Sequence, residues 1–384
     1  MDNQNKNPLY QLLEQGQSVW LDSIQRRQIQ SGELKNLMDT MALRGETSNP
    51  SIFEKAIVGS HDYDADIREL VAQGHDTLAI YEKLATDDVR AACDVFRPLY
   101  DATNGGDGFV SIEVSPRLAH DTQATLDEVK RLWRTVNRPN LMVKIPGTKE
   151  GVPAIEKSLY DGMNINITLL FAVQAYEEVA WAYVRALERR AAEGKPIDRI
   201  ASVASFFVSR IDTLADKLLS DAAKTETNPQ RFKELKDLQG KLAIANAQIA
   251  YEHFKQIFSG ERWLALQARG ARVQRPLWAS TSTKNPAYRD VLYVETLIGP
   301  HTVNTLPMET LKAFADHGVV ARTVDANVSA AHDIVRRFEA AGFSLDAVTA
   351  QVLDEGVVKF DEAFSQLLAG IDKKRAEMEM AVSR

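Results

Sequence analysis

Short apolar runs alternate along this chain with longer segments in which apolar residues recur every three or four positions. Many of the short runs lack strict polar and apolar alternation, which is typical of parallel strands, because helices cover both faces of a parallel sheet. The longer segments have the spacing of helices that bury one face. The predicted strands cover residues 18–24, 45–50, 109–114, 141–145, 164–168, 200–205, 276–280 and 302–307.

Helical periodicity fills the segments between these strands, over residues 26–41, 62–83, 86–104, 122–136, 153–161 and 172–193. After the sixth strand it is nearly continuous over about residues 212–262, where Thr227-Asn-Pro229 indicates a helix start and Gly260 a helix end. From about Met308 the pattern is helical to the last residue. Neither a repeat of fixed period nor a low-complexity linker divides the sequence, so we expect one domain over residues 1–384.

Eight strands that alternate with helices predict an α/β fold of the (β/α)8 or TIM barrel type, since a doubly wound sheet seldom has eight strands in such regular alternation. A length of 384 residues accommodates that barrel with additional helices after strand 6 and at the C-terminus. The carboxyl ends of barrel strands meet at one face, where active sites lie. We therefore expect the polar residues near the strand ends to converge: Asp22, Asn49, Glu113, Lys144, Asn166, Thr168, Ser205 and the loop 280–284.

Lys144 is unusual because it lies inside the apolar run Leu141-Met-Val-Lys-Ile145. Lysine is rarely buried without a role. Burial penalises the charged ammonium, and a neutral amine attacks a carbonyl carbon to form a Schiff base. The alternative is a lysine on an edge strand, or one whose ammonium extends to the rim. The expected convergence of polar strand ends favours the catalytic role.

Composition narrows the class of protein. The chain is 45% hydrophobic and 26% charged, and its net charge of −7 is spread along the sequence, so no nucleic-acid or membrane surface is predicted. Residues 1–7 are polar, and no run approaches the roughly 18–20 apolar residues of a membrane span. The single cysteine, Cys93, allows no intrachain disulfide, so we expect a reducing, cytoplasmic setting.

Five motifs in the barrel region, from Ser18 to about Pro307, resemble those of the transaldolases, which are Schiff-base enzymes of the pentose phosphate pathway. Any one of these matches alone is weak, whereas five in the correct order are specific. The long helical segments after strand 6 and beyond Met308 suggest a larger, bacterial-type subfamily. The motifs are Val-Trp-Leu-Asp22-Ser, Thr47-Ser-Asn49-Pro-Ser, Ser111-Ile-Glu113-Val, Leu-Met-Val-Lys144-Ile-Pro and Gly162-Met-Asn-Ile-Asn166-Ile-Thr168-Leu-Leu-Phe171.

The resemblance implies transfer of a dihydroxyacetone unit between sedoheptulose 7-phosphate or fructose 6-phosphate and glyceraldehyde 3-phosphate or erythrose 4-phosphate. Lys144 would form the Schiff base that accepts electrons when the C3–C4 bond breaks. Asp22 would act as general base on the C4 hydroxyl. Glu113, through a water held with Thr168, would protonate the departing carbinolamine hydroxyl. The alternatives are that Asp22 caps a helix and that Glu113 only pairs with Lys144.

The resemblance also implies residues that bind the sugar. Thr47, Asn49, Asn166 and Ser205 would contact the substrate and hold the three-carbon adduct until an aldose acceptor arrives. Shielding this adduct from water separates transfer from simple cleavage.

Arg210, which follows the sixth strand, matches the family's phosphate-binding arginine, and its planar fork suits phosphate oxygens. The stretch Ser205-Phe-Phe-Val-Ser-Arg210 departs from the family's Ser-Pro-Phe-Val-Gly-Arg. A second phosphate arginine, which usually follows the Ala-Ser of the seventh strand, is missing. Ser280 and Lys284 are the candidates for its place, and the alternative is that Lys284 lies on an ordinary exposed loop.

Other functions fit parts of the pattern. Metal-dependent aldol cleavage needs clustered histidines, and the seven histidines show no close ligand spacing, so neither a metal nor another cofactor is predicted. A fructose-6-phosphate aldolase shares the barrel and the lysine but releases the three-carbon unit. A catalytically silent barrel would only bind a phosphosugar or a partner protein. Both a monomer and a homodimer are compatible with the sequence.

Overall fold

In the computed structural model, which describes residues 7–382, eight parallel strands pair in chain order and close into a barrel. This confirms the predicted (β/α)8 TIM barrel, with strand bounds shifted by a few residues. Residues 1–6 and 383–384 of the predicted domain lie outside the described residues. The strands are β1 (Gln17–Asp22), β2 (Leu43–Thr47), β3 (Phe109–Glu113), β4 (Leu141–Pro146), β5 (Ile165–Leu170), β6 (Ser202–Phe207), β7 (Arg275–Ala279) and β8 (Thr302–Leu306).

Helices lie between successive strands and pack on the outside of the barrel. The segment Glu54–Val58 is π-helical and Pro116–Leu118 is a short 3-10 helix. The α-helices are α1 (Pro8–Glu14), α2 (Arg26–Gln30), α3 (Glu33–Thr40), α4 (Pro50–Phe53), α5 (Asp64–Ala72), α6 (Thr77–Ala102), α7 (Thr122–Val136), α8 (Gly151–Asp161), α9 (Val173–Ala192), α10 (Ser209–Thr225), α11 (Pro229–Asp237), α12 (Leu242–Ile257), α13 (Glu261–Gln267), α14 (Leu292–Glu295), α15 (Met308–His317), α16 (Val328–Ala340) and α17 (Leu345–Val382).

Three helix predictions are wrong in detail. The helix predicted over residues 26–41 is divided at Gly32, whose φ of 80° is left-handed and ends α2 before α3 begins. The helix predicted over residues 62–83 ends at Ala72, and Asp76 then caps α6 by accepting a hydrogen bond from Ala79 N. The break predicted before Thr86 is absent, because the Thr86 hydroxyl donates to Glu82 O within the continuous helix α6.

The additional helices predicted after strand 6 are α10 to α13, and those predicted at the C-terminus are α15 to α17. The C-terminal segment is nevertheless not continuously helical, since residues 318–327 lie outside any helix. Tertiary hydrogen bonds explain this correction, because Thr323 N and Val324 N both donate to Ile298 O, in the segment just before β8. A helix over residues 318–327 would lose these contacts.

The barrel interior is filled by side chains from the strands. Trp20 on β1 is fully buried and lies opposite Gly45 on β2. A Cβ atom at position 45 would lie 2.6 Å from the indole of Trp20, so this strand position requires glycine. Packing of this kind makes the middle of the barrel a solid core rather than a pore.

Helix α17 is 38 residues long and is the element that covers the carboxyl ends of several strands. It packs against α4 and α10, each of which directly follows a strand, against α6, and against β5 itself. It therefore lies across the face of the barrel where the predicted site residues end. No helix within residues 7–382 has the length and apolar character needed to cross a membrane.

Candidate active site

The carboxyl ends of the strands surround a cavity of about 150 Å³. Every predicted site residue except Glu113 and Asn166 forms part of its wall, and both of these pair with Lys144 in the strand register. The structure thus brings all the predicted residues together. The wall consists of Asp22, Thr47, Asn49, Lys144, Thr168, Ser205, Phe207, Arg210, Ala279, Ser280, Ser282, Lys284, Thr305, Pro307 and Phe360.

Lys144 lies on β4 with its amine inside the barrel and is only 5% exposed. Its Nζ donates to the backbone oxygen of Ser48 at 3.1 Å and lies 3.2 Å from Oε2 of Glu113. Because the barrel is closed, β4 has no free edge, and the alternative of an edge-strand lysine is wrong. An ammonium has three donors, so these two contacts leave the amine with capacity for a ligand.

Asp22 ends β1 at the wall of the cavity. Thr47 Oγ1 donates to its Oδ1 at 2.7 Å and also lies 2.7 Å from Thr305 Oγ1. Burial raises the pKa of Asp22, although the positive charge of Lys144 and the hydrogen bond from Thr47 act in the opposite direction. The residue at the N-cap of α2 is Gln25, so Asp22 is not the cap of that helix.

The side chains of Glu113 and Thr168 have few hydrogen-bond partners. Apart from the Lys144 ammonium, neither carboxylate oxygen of Glu113 meets a hydrogen-bond donor within residues 7–382. Burial raises the pKa of Glu113, while the nearby Lys144 lowers it. Thr168 Oγ1 is also buried without a hydrogen-bond partner in the described residues. Unsatisfied groups at one place in a structure indicate a site that a ligand or water completes.

The two predicted asparagines, Asn49 and Asn166, have different surroundings. Asn49 Oδ1 accepts a hydrogen bond from Ile52 N and caps α4, which leaves its amide nitrogen free to face the cavity. Asn166 is fully buried, and its Oδ1 accepts from Ser205 Oγ at 2.7 Å. Its Nδ2 donates to Ser111 Oγ at 3.1 Å. Asn166 therefore holds Ser205, which itself lines the cavity.

Arg210 is in the first turn of α10, with its guanidinium carbon 5.5 Å from the ring centre of Phe207 and 5.7 Å from that of Phe360. Its Nη1 is buried and has no hydrogen-bond partner within residues 7–382. Burial lowers the pKa of Arg210, and the nearest acids, led by Glu355, offset this only in part. A half-buried guanidinium with an unpartnered nitrogen is suited to an anionic ligand.

Ser280 and Lys284 extend the cavity from β7. Ser280 has a left-handed φ of 56°, and its Oγ lies 2.7 Å from Ser209 Oγ at the start of α10. Lys284 is exposed and donates to Ser282 Oγ at 2.7 Å, while also lining the cavity. The place of Lys284 at the rim is therefore compatible both with a phosphate-binding role and with an ordinary exposed loop. The backbone N–H groups of the first turn of α10 lie at this same end.

Six residues of the cavity wall were not among the predicted site residues: Phe207, Ala279, Ser282, Thr305, Pro307 and Phe360. Thr305 was detectable, because it is a polar residue next to the last position of β8, near the end where Asp22 ends β1. Ser282 lies in the loop that was singled out, and Phe207 lies between two predicted residues. Phe360 belongs to α17, and no local pattern connects that helix to the cavity.

A closed (β/α)8 barrel with a buried lysine, two nearby carboxylates and an arginine whose Nη1 has no partner within residues 7–382 defines a class of barrel proteins centred on a lysine at the strand ends. Within that class, the chain belongs to the Transaldolase/Fructose-6-phosphate aldolase family, whose sequence profile matches residues 19–371.

Curated relatives align over nearly the whole chain. The transaldolase of Trichodesmium erythraeum is 48% identical over 370 residues, covering 96% of this chain and 97% of that protein. Transaldolase 2 of Nostoc sp. (strain PCC 7120) is 50% identical over 371 residues, with the same coverage. The transaldolase of Mycobacterium tuberculosis (strain H37Rv) is 45% identical over 383 residues, covering 99% of this chain and 100% of that protein. The additional helices of this chain are thus within the length shared with these relatives.

Proposed function

We propose that this protein is a transaldolase, a transferase that moves a dihydroxyacetone unit from a ketose phosphate donor to an aldose phosphate acceptor. The donors are sedoheptulose 7-phosphate and fructose 6-phosphate, and the acceptors are glyceraldehyde 3-phosphate and erythrose 4-phosphate. The observation that carries the proposal is the buried amine of Lys144, 3.2 Å from Glu113 and in the same cavity as Asp22 and Arg210. The names of the relatives support it.

The first step forms the Schiff base. Passing one proton from Lys144 to Glu113 gives a neutral amine and a neutral acid without changing the net charge of the buried site. The amine attacks the C2 carbonyl, and Glu113 then protonates the carbinolamine hydroxyl, which leaves as water. Thr168 would hold the water that relays this proton, which is supported by its hydroxyl having no hydrogen-bond partner within residues 7–382. The product is an iminium on Lys144.

The second step breaks the carbon–carbon bond. Asp22 takes the proton of the C4 hydroxyl, the C3–C4 electron pair moves into the iminium, and the aldose leaves with a new carbonyl group. The raised pKa of Asp22 makes its carboxylate a stronger base than an ordinary aspartate. In the reverse direction the enamine attacks the acceptor aldehyde, and Asp22 returns the proton. Water then hydrolyses the iminium and releases Lys144.

Substrate binding uses the rest of the wall. Arg210 is the principal phosphate ligand, because it lines the cavity and its Nη1 has no hydrogen-bond partner in the described part of the chain, and Ser280 and Lys284 add a hydroxyl and a second cation. Thr47, which already donates to Asp22, places that carboxylate against the sugar. Asn49, Asn166 and Ser205 hold the hydroxyls of the three-carbon adduct, with Asn166 acting through its hydrogen bond with Ser205.

Borohydride trapping tests the Schiff base. Intact-mass spectrometry and peptide mapping after incubation with fructose 6-phosphate and borohydride should find a three-carbon adduct on Lys144. Lys144→Ala should form none, whereas Lys149→Ala, which removes an exposed lysine nearby, should be labelled normally. A wild type that binds phosphosugar but is not labelled would refute the mechanism and favour a silent binding barrel.

Product analysis separates transfer from cleavage. With fructose 6-phosphate and erythrose 4-phosphate present, a transaldolase produces sedoheptulose 7-phosphate. Release of free dihydroxyacetone as the main product would instead assign the aldolase activity that the family also contains.

The setting of this reaction is proposed to be the cytoplasm, where the single buried thiol of Cys93 stays reduced. A monomer or a homodimer is proposed for the assembly, and sedimentation equilibrium of the purified chain distinguishes the two. The partners of the protein are phosphorylated sugars, held by Arg210 and its neighbours.

A further inference from the structure

Helix α17 contacts Arg210 directly, although the two are far apart in sequence. The guanidinium carbon lies 5.5 Å from the ring centre of Phe207, from the barrel, and 5.7 Å from that of Phe360, from α17. Both rings line the cavity, and Phe360 is 7% exposed. Two rings this close to a guanidinium attract the cation and restrict its rotation. The C-terminal helix therefore supplies one of the two surfaces that orient this arginine.

Gly356 leaves the space that the guanidinium occupies. It is buried on α17, one turn before Phe360, and a Cβ atom there would lie 3.3 Å from Nη1 of Arg210 and 3.1 Å from Cδ2 of Leu169. Leu169 has little freedom to yield, because it is buried and has a left-handed φ of 59° at the end of β5. Glycine in the middle of a helix lowers helix stability, so its presence here has a packing reason.

We propose that α17 is a positioning element for the substrate phosphate: Gly356 and Phe360 hold the Arg210 guanidinium in place at the cavity wall. This inference rests on the proposed function, in which Arg210 binds the phosphate. The buried Nη1 has no protein partner within residues 7–382, which is the state expected of a donor that is oriented before the ligand arrives. Orientation in advance strengthens binding because the ligand does not have to order the side chain.

The Gly356→Ala variant tests the space beside the guanidinium. The added methyl group displaces Nη1, so KM for fructose 6-phosphate and Kd for inorganic phosphate should both rise about 10-fold, with kcat within about twofold of wild type. KM for fructose, which has no phosphate, should stay unchanged. Val358→Ala, at an exposed position of the same helix, is the control and should alter none of these constants.

A matched pair of phenylalanine variants tests whether the ring of Phe360 orients Arg210. Phe360→Leu removes the aromatic face beside Arg210, and Phe364→Leu makes the same change one turn later, where the ring packs on Tyr81. Both lose core packing, but only Phe360→Leu should weaken inorganic phosphate binding, by about threefold to tenfold. This pair decides the question if Gly356→Ala does not fold.

Phosphate calorimetry and borohydride trapping test the role of α17 and the proposed function separately. Calorimetric binding of inorganic phosphate needs no catalysis, so it reports on α17 even if borohydride trapping finds no adduct on Lys144. Equal phosphate Kd values for Phe360→Leu and Phe364→Leu would overturn the positioning role. An adduct on Lys144 in the same preparations would show that the proposed function survives that failure.

Discussion

The two ends of the barrel both bury ionic side chains but satisfy them differently. At the amino end, the carboxylate of Asp107 accepts hydrogen bonds from Ser18 Oγ at 2.6 Å, Trp20 Nε1 at 3.1 Å, Arg44 Nε at 3.1 Å and Arg275 Nη2 at 3.3 Å. Four donors, two of them charged, occupy both oxygens. A buried carboxylate with this many partners stabilises the fold and has little capacity left for a ligand.

At the carboxyl end the corresponding groups are left incomplete. Glu113 has only the ammonium of Lys144 as a partner, and Thr168 Oγ1 and Arg210 Nη1 have none within residues 7–382. Each unsatisfied buried group costs about 1–3 kcal/mol. Among these ions, the protein retains this cost at the carboxyl end and avoids it at the amino end. Buried polar groups without a partner also occur away from the cavity, such as both carboxylate oxygens of Glu46, so an unpaired group indicates a functional site only where it adjoins a cavity.

Removing Asp22 should affect chemistry far more than stability. Asp22→Ala should lower kcat by about 10²–10⁴-fold, because no base remains for the C4 hydroxyl, while the Schiff base with Lys144 still forms. In the wild type kcat/KM should fall as pH drops through the raised pKa of Asp22, since only the carboxylate accepts a proton. Steady-state kinetics and borohydride labelling measure both effects. Unchanged kcat in the variant would exclude Asp22 as the base.

The amino-end carboxylate should show the opposite behaviour. Asp107→Ala leaves Arg44 and Arg275 without their buried counterion and should lower the free energy of unfolding by about 3 kcal/mol. The folded fraction should keep its kcat. Urea denaturation measures the loss, and Asp198→Ala, which removes the exposed partner of Arg199, should change stability by less than about 1 kcal/mol. Equal losses in the two variants would contradict the comparison between the ends.

Arg210 should contribute to binding rather than to chemistry. Arg210→Ala should raise KM for fructose 6-phosphate by about 10–100-fold and change kcat little, because a phosphate far from the breaking bond is bound equally in the ground and transition states. Steady-state kinetics with fructose as the donor provides the control. An unchanged KM for the phosphorylated donor would remove Arg210 from the site.

Asp212 provides an intermediate case, a buried carboxylate whose donors are neutral. It accepts from Ala243 N and Tyr293 Oη, each at 2.8 Å, and burial raises its pKa from 3.8 to about 7. Between these pH values the folded chain keeps a proton that the unfolded chain has released. Stability should therefore fall as pH rises from about 4 to about 7, by at most about 1.4 kcal/mol per pH unit.

The Asp212→Asn variant should lose this pH dependence, because asparagine keeps an acceptor for Ala243 N and does not ionise. Urea unfolding across this pH range compares the two slopes. Parallel slopes would show that neutral donors suffice to keep the carboxylate ionised.

Much of this organisation was predictable from the sequence. Strand positions follow from short apolar runs, and the barrel follows from their number and regular alternation with helices. Lys144 was detectable because an ammonium interrupts an apolar strand, and Asp22 and Glu113 because strand ends meet at one face. The break at Gly32 was also present in the sequence, as a residue that favours left-handed backbone, but the helical pattern on either side obscured it.

The sequence by itself determined the barrel and which side chains end its strands, because these depend on periodicities within a few residues. Only the tertiary structure decided which groups are satisfied and which are left unpaired. Asp107 and Glu113 are both buried acids close to β3, yet one receives donors from β1, β2 and β7 and the other meets only Lys144. Phe360 reaches Arg210 only because α17 crosses the barrel face. Such contacts join distant segments, and their geometry exists only once the chain has closed on itself.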